Sequence, residues 1–303
     1  MCAAGCGRGA AAFVLGGNMK LLRYGPKGKE KPGMLDASGS IRDLSKTVKD
    51  IGGDALTPAG LKKLAKLKPE KLKKVAGKPR LGQPVNPIGK LIAVGLNYAD
   101  HAAETGSPIP AEPVLFVKTP NSFAGPNDAV TFPRGATKMD WEVELAVVIG
   151  ARARYVSVEN ALKHVAGYTI CNDVSERAFQ IERGGSQWTK GKFCDGFAPL
   201  GPYLVTADEV NDVQNLRLWT DVNGQRMQNG STKTMIFGVA QLVSYISEFA
   251  TLEPGDVIIT GTPPGVGLGK KPTPIFLKPG DTVELGIEGM GTQKQVFKPF
   301  PNK

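Results

Sequence analysis

The chain has 303 residues, 41% of them hydrophobic and 22% charged, with no apolar run near the ~18 residues that a membrane span requires. That excludes a helical membrane protein and leaves a globular chain with room for one large domain or two smaller ones. The net charge of +10 suggests nucleic-acid binding, but eight Lys and one Arg against a single Glu between Leu61 and Arg80 supply +8 of it, so the basic character is local.

In chain order, residues 1–18 contain one Arg and an apolar run of six, Ala10 to Leu15, short for a secretory signal core. Met19 then opens a strand-like MKLLRY, so residues 1–18 are expected to be either an over-called start or a disordered extension. Residues 19–86 predict a small N-terminal domain, with strands at Lys20 to Tyr24 and Gly33 to Leu35 ahead of the lysine-rich segment. Leucines at 61, 64, 67 and 72 fit short helices around Pro69 with a lysine face turned to solvent. The segment has no aromatic residue for base stacking and matches no nucleic-acid module, so no nucleic-acid partner is expected.

The passage GQPVNPIG leads into a second region, residues 87–303. Strands are predicted at KLIAVGL, PVLFVK, WEVELAVVIG, GPYLVT, LRLWTDVNG, DVIITGT and DTVELGI, and helices at VSVENALKHVAG and TMIFGVAQLVSYISEFA. Strand and helix do not alternate regularly, which argues for a mixed-sheet α+β domain and against a Rossmann or barrel plan. The glycine-rich TGTPPGVGLGKK, Thr260 to Lys271, is not a P-loop, because Lys270 is followed by Lys271 and not by Ser or Thr. It reads as a tight turn whose glycines let the backbone approach a ligand. Cys2, Cys6, Cys171 and Cys194 form no C-x-x-C pair, so neither a zinc site nor a disulfide framework is suggested and a reducing, cytoplasmic location is expected.

The most informative stretch is WEVELAVVIG. In a strand, Glu142 and Glu144 point to one face, with Trp141, Val143, Leu145 and Val147 on the other. Ala146 and Val148 continue the glutamate face, so the strand reads as buried on both sides. Two buried like charges call for a cation, and Asp173, ending HVAGYTICND, is the candidate third carboxylate of a Mg2+-type site. A pair of surface glutamates bridged to lysines remains open from spacing alone. His101 and Glu104 share a face if ADHAAETG is helical, giving an imidazole oriented by a carboxylate, as a general base requires. His164 has no such partner and reads as structural. Lys190 and Lys192 flank Gly191, and either could hold a substrate carboxylate or a developing enolate.

Taken together, GLNYADHAAE, WEVELAVVIG, CNDVSER, QWTKGK, GSTKTMIFGVAQLVSYIS and GDVIITGTPPGVG, between Lys90 and Gln295, resemble the fumarylacetoacetate hydrolase family. The resemblance implies an α+β mixed β-roll with a smaller N-terminal domain, assembled as a homodimer. It implies that Glu142, Glu144 and Asp173 hold Mg2+ or Mn2+, that His101 and Glu104 form a water-activating dyad on a mobile lid, and that Lys192 is the catalytic lysine. It places Arg177, Gln180 and Thr262 at the 2-oxo acid end of a small-molecule substrate. NDVSER, IERGG and QWTKGK are most similar to the branch acting on 2,4-diketo-3-deoxy sugar acids of the fuconate and rhamnonate type, often named ureidoglycolate lyase. The implied reaction cleaves a carbon-carbon bond of a 2,4-dioxo acid to give pyruvate and a second carboxylic acid. The same metal-enolate core also suits an oxaloacetate decarboxylase, a ureidoglycolate lyase or a keto-enol isomerase. Phe193, where many relatives carry a small residue, is expected to narrow the pocket.

Overall fold

The computed structural model describes residues 19–301 other than 107, 184 and 186; the extension expected at residues 1–18 lies outside them. The architecture is mixed α+β, as expected, and its spine is the strand Val143–Ile149. Every residue of VELAVVI is buried, and the β-branched side chains suit a strand covered on both faces. It pairs antiparallel with Val165–Asn172, which is equally buried, and with Val257–Ile259.

The ten-stranded sheet built on it runs Ile41–Asp43, Lys31–Leu35, Lys20–Tyr24, Ala198–Thr206, Val165–Asn172, Val143–Ile149, Val257–Ile259, Leu91–Gly95 and Val114–Lys118, with Phe123–Ala124 pairing onto Ala198–Thr206. Residues 20–43 therefore continue the sheet of the downstream region, through Lys20↔Val205 and Leu21↔Leu204. A five-stranded sheet runs Gln225–Ser231, Arg217–Val222, Thr282–Ile287, Gly291–Lys298 and Val130–Thr131. A small pair joins Ser175–Glu176 to Met139–Asp140.

The predicted alternation holds along the central strand. Val143, Leu145 and Val147 enter one apolar core with the five-stranded sheet and the helix Val239–Phe249. Ala146 and Val148 enter a second core with Leu21, Leu56, Leu61 and Leu64 from the N-terminal segment. The lysine-rich stretch folds as the helix Pro58–Ala65 and a single turn at Pro69–Lys71, with Leu61 and Leu64 buried and all eight lysines exposed.

Both predicted helices are shorter than their patterns. VSVENALKHVAG is helical only over Val158–Ala161 and a turn at Leu162–His164, because Val165 onward pairs with the central strand. In the other, the helix begins at Val239, since the N–H groups of Ile236 and Phe237 are bonded to Asn97. No helix among the described residues is long and apolar enough to cross a membrane.

Candidate active site

Register builds the site. Cys171 lies opposite Glu144 and Asn172 opposite Val143, so the strand end carries Asp173 to Glu142, whose carbonyl accepts the Asp173 N–H at 2.9 Å. One oxygen from each of Glu142, Glu144 and Asp173 lies within 4.8 Å of the others, and all three residues are buried. Burial makes uncompensated charge costly here, and the sequence supplies cations to match. The Lys192 ammonium donates to Glu142 Oε2 at 2.5 Å and to Asp173 Oδ2 at 2.7 Å. Lys118 donates to Asp173 Oδ1, and to the Val174 carbonyl at 3.3 Å. Arg177 spreads its guanidinium over three acceptors, Glu142 Oε1 at 2.6 Å, Asp140 Oδ2 at 2.8 Å and Gln180 Oε1 at 2.9 Å.

The two glutamates differ in consequence. Burial alone would raise Glu142, but Arg177 and Lys192 outweigh it and hold its carboxyl down at about 2. Glu144 forms no ion pair among the described residues; it accepts the Gly261 N–H at 2.7 Å. Burial, and then the charges of Asp173 and Glu142, push it well above the usual carboxylate range. Glu144 is thus the buried carboxyl that a further cation would stabilise most. The all-oxygen donor set suits a hard divalent ion of the Mg2+ or Mn2+ kind, so the residues fit a metal site.

His101 and Glu104 lie on the helix Ala99–Thr105, with Glu104 Oε2 3.2 Å from His101 Nδ1. The Gly265 N–H donates to both Glu104 oxygens at 3.0 Å, clasping the helix to the glycine-rich turn. Burial would raise Glu104, yet His101 and that N–H together hold it below its ordinary value. The same turn caps Asp140 through the N–H groups of Gly267 at 2.7 Å and Leu268 at 3.0 Å. One loop's backbone therefore fixes three site carboxylates. The predicted turn glycines deliver N–H groups to the protein's own acids.

Of the paired lysines, Lys190 is exposed and Lys192 is 2% exposed. Gly191 is what permits this: a Cβ there would lie 2.5 Å from the Gln180 backbone nitrogen and from the Glu176 carbonyl, so the turn Thr189–Lys192 packs flush on its neighbour only with glycine. Thr262 donates its hydroxyl to the Val143 carbonyl at 2.9 Å and accepts from Gln228 at 2.8 Å, leaving its oxygen only a spare acceptor position.

A single cleft takes in His101, Glu142, Glu144, Arg177, Gln180, Lys192 and Thr262, while Asp173, fully buried, is bonded to its Lys192 and Glu104 to its His101. His164 is not among the cleft residues; its Nδ1 is buried without a hydrogen-bond partner. Phe193 corrects an expectation: it lines a separate surface cavity with Asn121 and Arg134 and does not narrow the cleft. Sequence reading also missed Lys118 and Asp140. A lysine at an inward position of PVLFVK, and an aspartate directly before WEVE, were the available signals.

A mixed sheet that gathers buried carboxylates and ammonium groups under one cleft, beside a carboxylate-held histidine, is the construction of an enzyme site. The chain belongs to the fumarylacetoacetate hydrolase family: residues 90–298 match the family described as fumarylacetoacetate (FAA) hydrolase C-terminal. It is 61% identical over 277 residues to a Burkholderia cenocepacia protein named "Putative hydrolase", covering 91% of this chain and 98% of that one. Among solved structures it is similar to the fumarylacetoacetate hydrolase of Exiguobacterium antarcticum, at 36% identity and a TM-score of 0.82, covering 93% of this chain and 100% of that one. It is also similar to 5-carboxymethyl-2-hydroxymuconate delta-isomerase of Mycobacterium smegmatis, at 32% identity and a TM-score of 0.72, covering 94% and 100%.

Proposed function

We propose that this enzyme hydrolyses a carbon-carbon bond of a 2,4-dioxo acid, releasing pyruvate and a second carboxylic acid, with Mg2+ or Mn2+ held by Glu142, Glu144 and Asp173. The observation that carries the reading is the convergence of those carboxylates within 4.8 Å, in a cleft shared with a histidine that Glu104 holds. When bound, the cation supplies Lewis acidity to the oxygens of the 2-oxo acid. Arg177 and Gln180 orient the substrate carboxylate from the cleft wall. His101, its tautomer set by Glu104, takes a proton from water as that water adds to the 4-carbonyl carbon. The C3–C4 bond then breaks, its electron pair passing into the pyruvate enolate beside the Lys192 ammonium. The proton returns to C3, and the former 4-carbonyl leaves as the carboxylic acid. The narrower assignment to 2,4-diketo-3-deoxy sugar acids rests on the resemblance of NDVSER, IERGG and QWTKGK alone.

The test is product analysis over a panel of 2,4-dioxo acids, the diketo sugar acids among them, plus oxaloacetate and ureidoglycolate, each with Mg2+ or Mn2+ and with chelator. Pyruvate with an equimolar second acid, formed only with metal, is the expected result; carbon dioxide without that acid would overturn hydrolysis. The likeness to a delta-isomerase supports a second reading, in which the same residues move a proton without water attack. Double-bond migration with no cleavage would favour it.

A further inference from the structure

The cleft is chemically two-sided. Its charged residues Glu142, Glu144, Arg177 and Lys192 cluster together, His101, Gln180 and Thr262 are its other polar side chains, and the remaining large side chains of its described lining are aliphatic or aromatic: Leu96, Phe116, Ile181, Trp188, Val266 and Leu268. Phe116 marks the border, with the Lys192 ammonium 5.3 Å from its ring centre and the Trp188 ring edge-on to it at 5.8 Å. Trp188 is seated there by Gly95, where a Cβ would lie 2.2 Å from the indole ring. Ile181 is 44% exposed, a large aliphatic side chain left at the mouth of a cleft. Among these six side chains the Trp188 indole N–H is the one hydrogen-bond donor, and none offers a charge or an acceptor to a substrate tail.

We infer that the distal group of the substrate is short and apolar, an alkyl or small aryl acyl group, and is neither a carboxylate nor a polyol, which sets aside the sugar-acid assignment. The inference rests on the reading of the polar end as a 2-oxo acid site. A tail bearing a charge or several hydroxyls would lose its water against this wall with no charge and only one indole N–H to replace it, whereas each buried methylene is favourable. Size points the same way: the cleft encloses about 180 Å3, and an apolar cavity of about 150 Å3 takes a single benzene.

Calorimetric binding of unreactive 2-oxo acids to the Mg2+-loaded protein tests this without turnover. From 2-oxobutanoate through 2-oxopentanoate to 2-oxohexanoate, affinity should rise by about fourfold per methylene. 2-Oxoadipate should bind at least tenfold more weakly than 2-oxohexanoate. Trp188→Ala should flatten the series, and Ile181→Arg, at an exposed position, should shift the preference toward 2-oxoadipate. A flat series in the wild type, or tighter 2-oxoadipate binding, overturns the inference while leaving the 2-oxo acid site standing. A rising series in a protein that cleaves no 2,4-dioxo acid upholds the inference and removes the hydrolase. If no 2-oxo acid binds, both fall.

Discussion

The site is a charge balance in which each member has a separable job. His101 contributes through proton transfer, so His101→Ala should lower turnover by about 10²–10⁴-fold while metal and 2-oxo acid binding, read by calorimetry, persist. Glu104→Gln should keep the Gly265 contact on its oxygen but lose the carboxylate's hold on the imidazole, giving a smaller loss and an altered pH–rate profile. Wild-type turnover in His101→Ala would remove the dyad. Lys118 has a different role. Its side chain is fully buried against Asp173, and removing one partner of a buried pair leaves the other uncompensated, at about 3–5 kcal/mol. Lys118→Met should therefore lower the unfolding free energy by that order in urea titrations with chelator present. A change below about 1 kcal/mol would mean that Lys192 alone balances Asp173. Glu142, Glu144, His101 and Lys192 were legible in the sequence because each stands in a local pattern, E-x-E, H-x-x-E or K-G-K. Lys118 and Asp140 were not, because their partners lie 55 and 37 residues away.

At the scale of elements, the placement of Lys192 depends on how the turn Thr189–Lys192 seats on the segment Ala178–Glu182. Gly191→Ala places a methyl against two backbone atoms at 2.5 Å, which cannot rotate away. It should displace Lys192 and lower kcat/KM by at least about tenfold, the cost of a misplaced catalytic group. Lys190→Ala, at an exposed position, should stay near the wild-type rate; equal losses in the two would show that the turn tolerates the methyl. Strands of apolar, β-branched residues such as Val143–Ile149 were readable from sequence, since both faces are buried and the run is continuous. Gly291–Lys298 was not, although its residues alternate between core and solvent. Two of its inward positions are Gln293 and Gln295, whose amides bond to buried carbonyls and to Asn172, so the polar letters concealed a buried face. Helix ends were misread for a related reason: Asn97 and the central strand capture backbone groups that a local pattern assigns to helix.

Across the whole molecule, the N-terminal residues are joined to the rest by sheet pairing and by a small ionic knot. Arg80 donates to both Asp128 oxygens, at 2.6 and 2.5 Å, and to Glu30 at 2.8 Å, while the Gly125 N–H adds a bond to Asp128 at 2.8 Å. The continuity of strand Lys20–Tyr24 with Ala198–Thr206 was invisible in the sequence, because a register between residues 183 and 185 positions apart leaves no local trace. The knot gives that junction an acid-sensitive component. Burial would raise Asp128, but Arg80 and the Gly125 N–H outweigh it and hold the carboxyl below its ordinary value. A carboxyl depressed in the folded state contributes its full stability above the unfolded value of about 3.9, and loses it as pH falls through the folded value. Asp128→Asn should therefore cost roughly 1.5–3 kcal/mol at pH 7, the range for hydrogen bonds to charged groups, and progressively less as pH drops below about 4. Urea unfolding of both proteins from pH 7 to pH 3 reads the difference directly. A penalty that stays constant over that range would mean Asp128 titrates alike in the folded and unfolded chains, leaving the junction to sheet pairing and the shared apolar core.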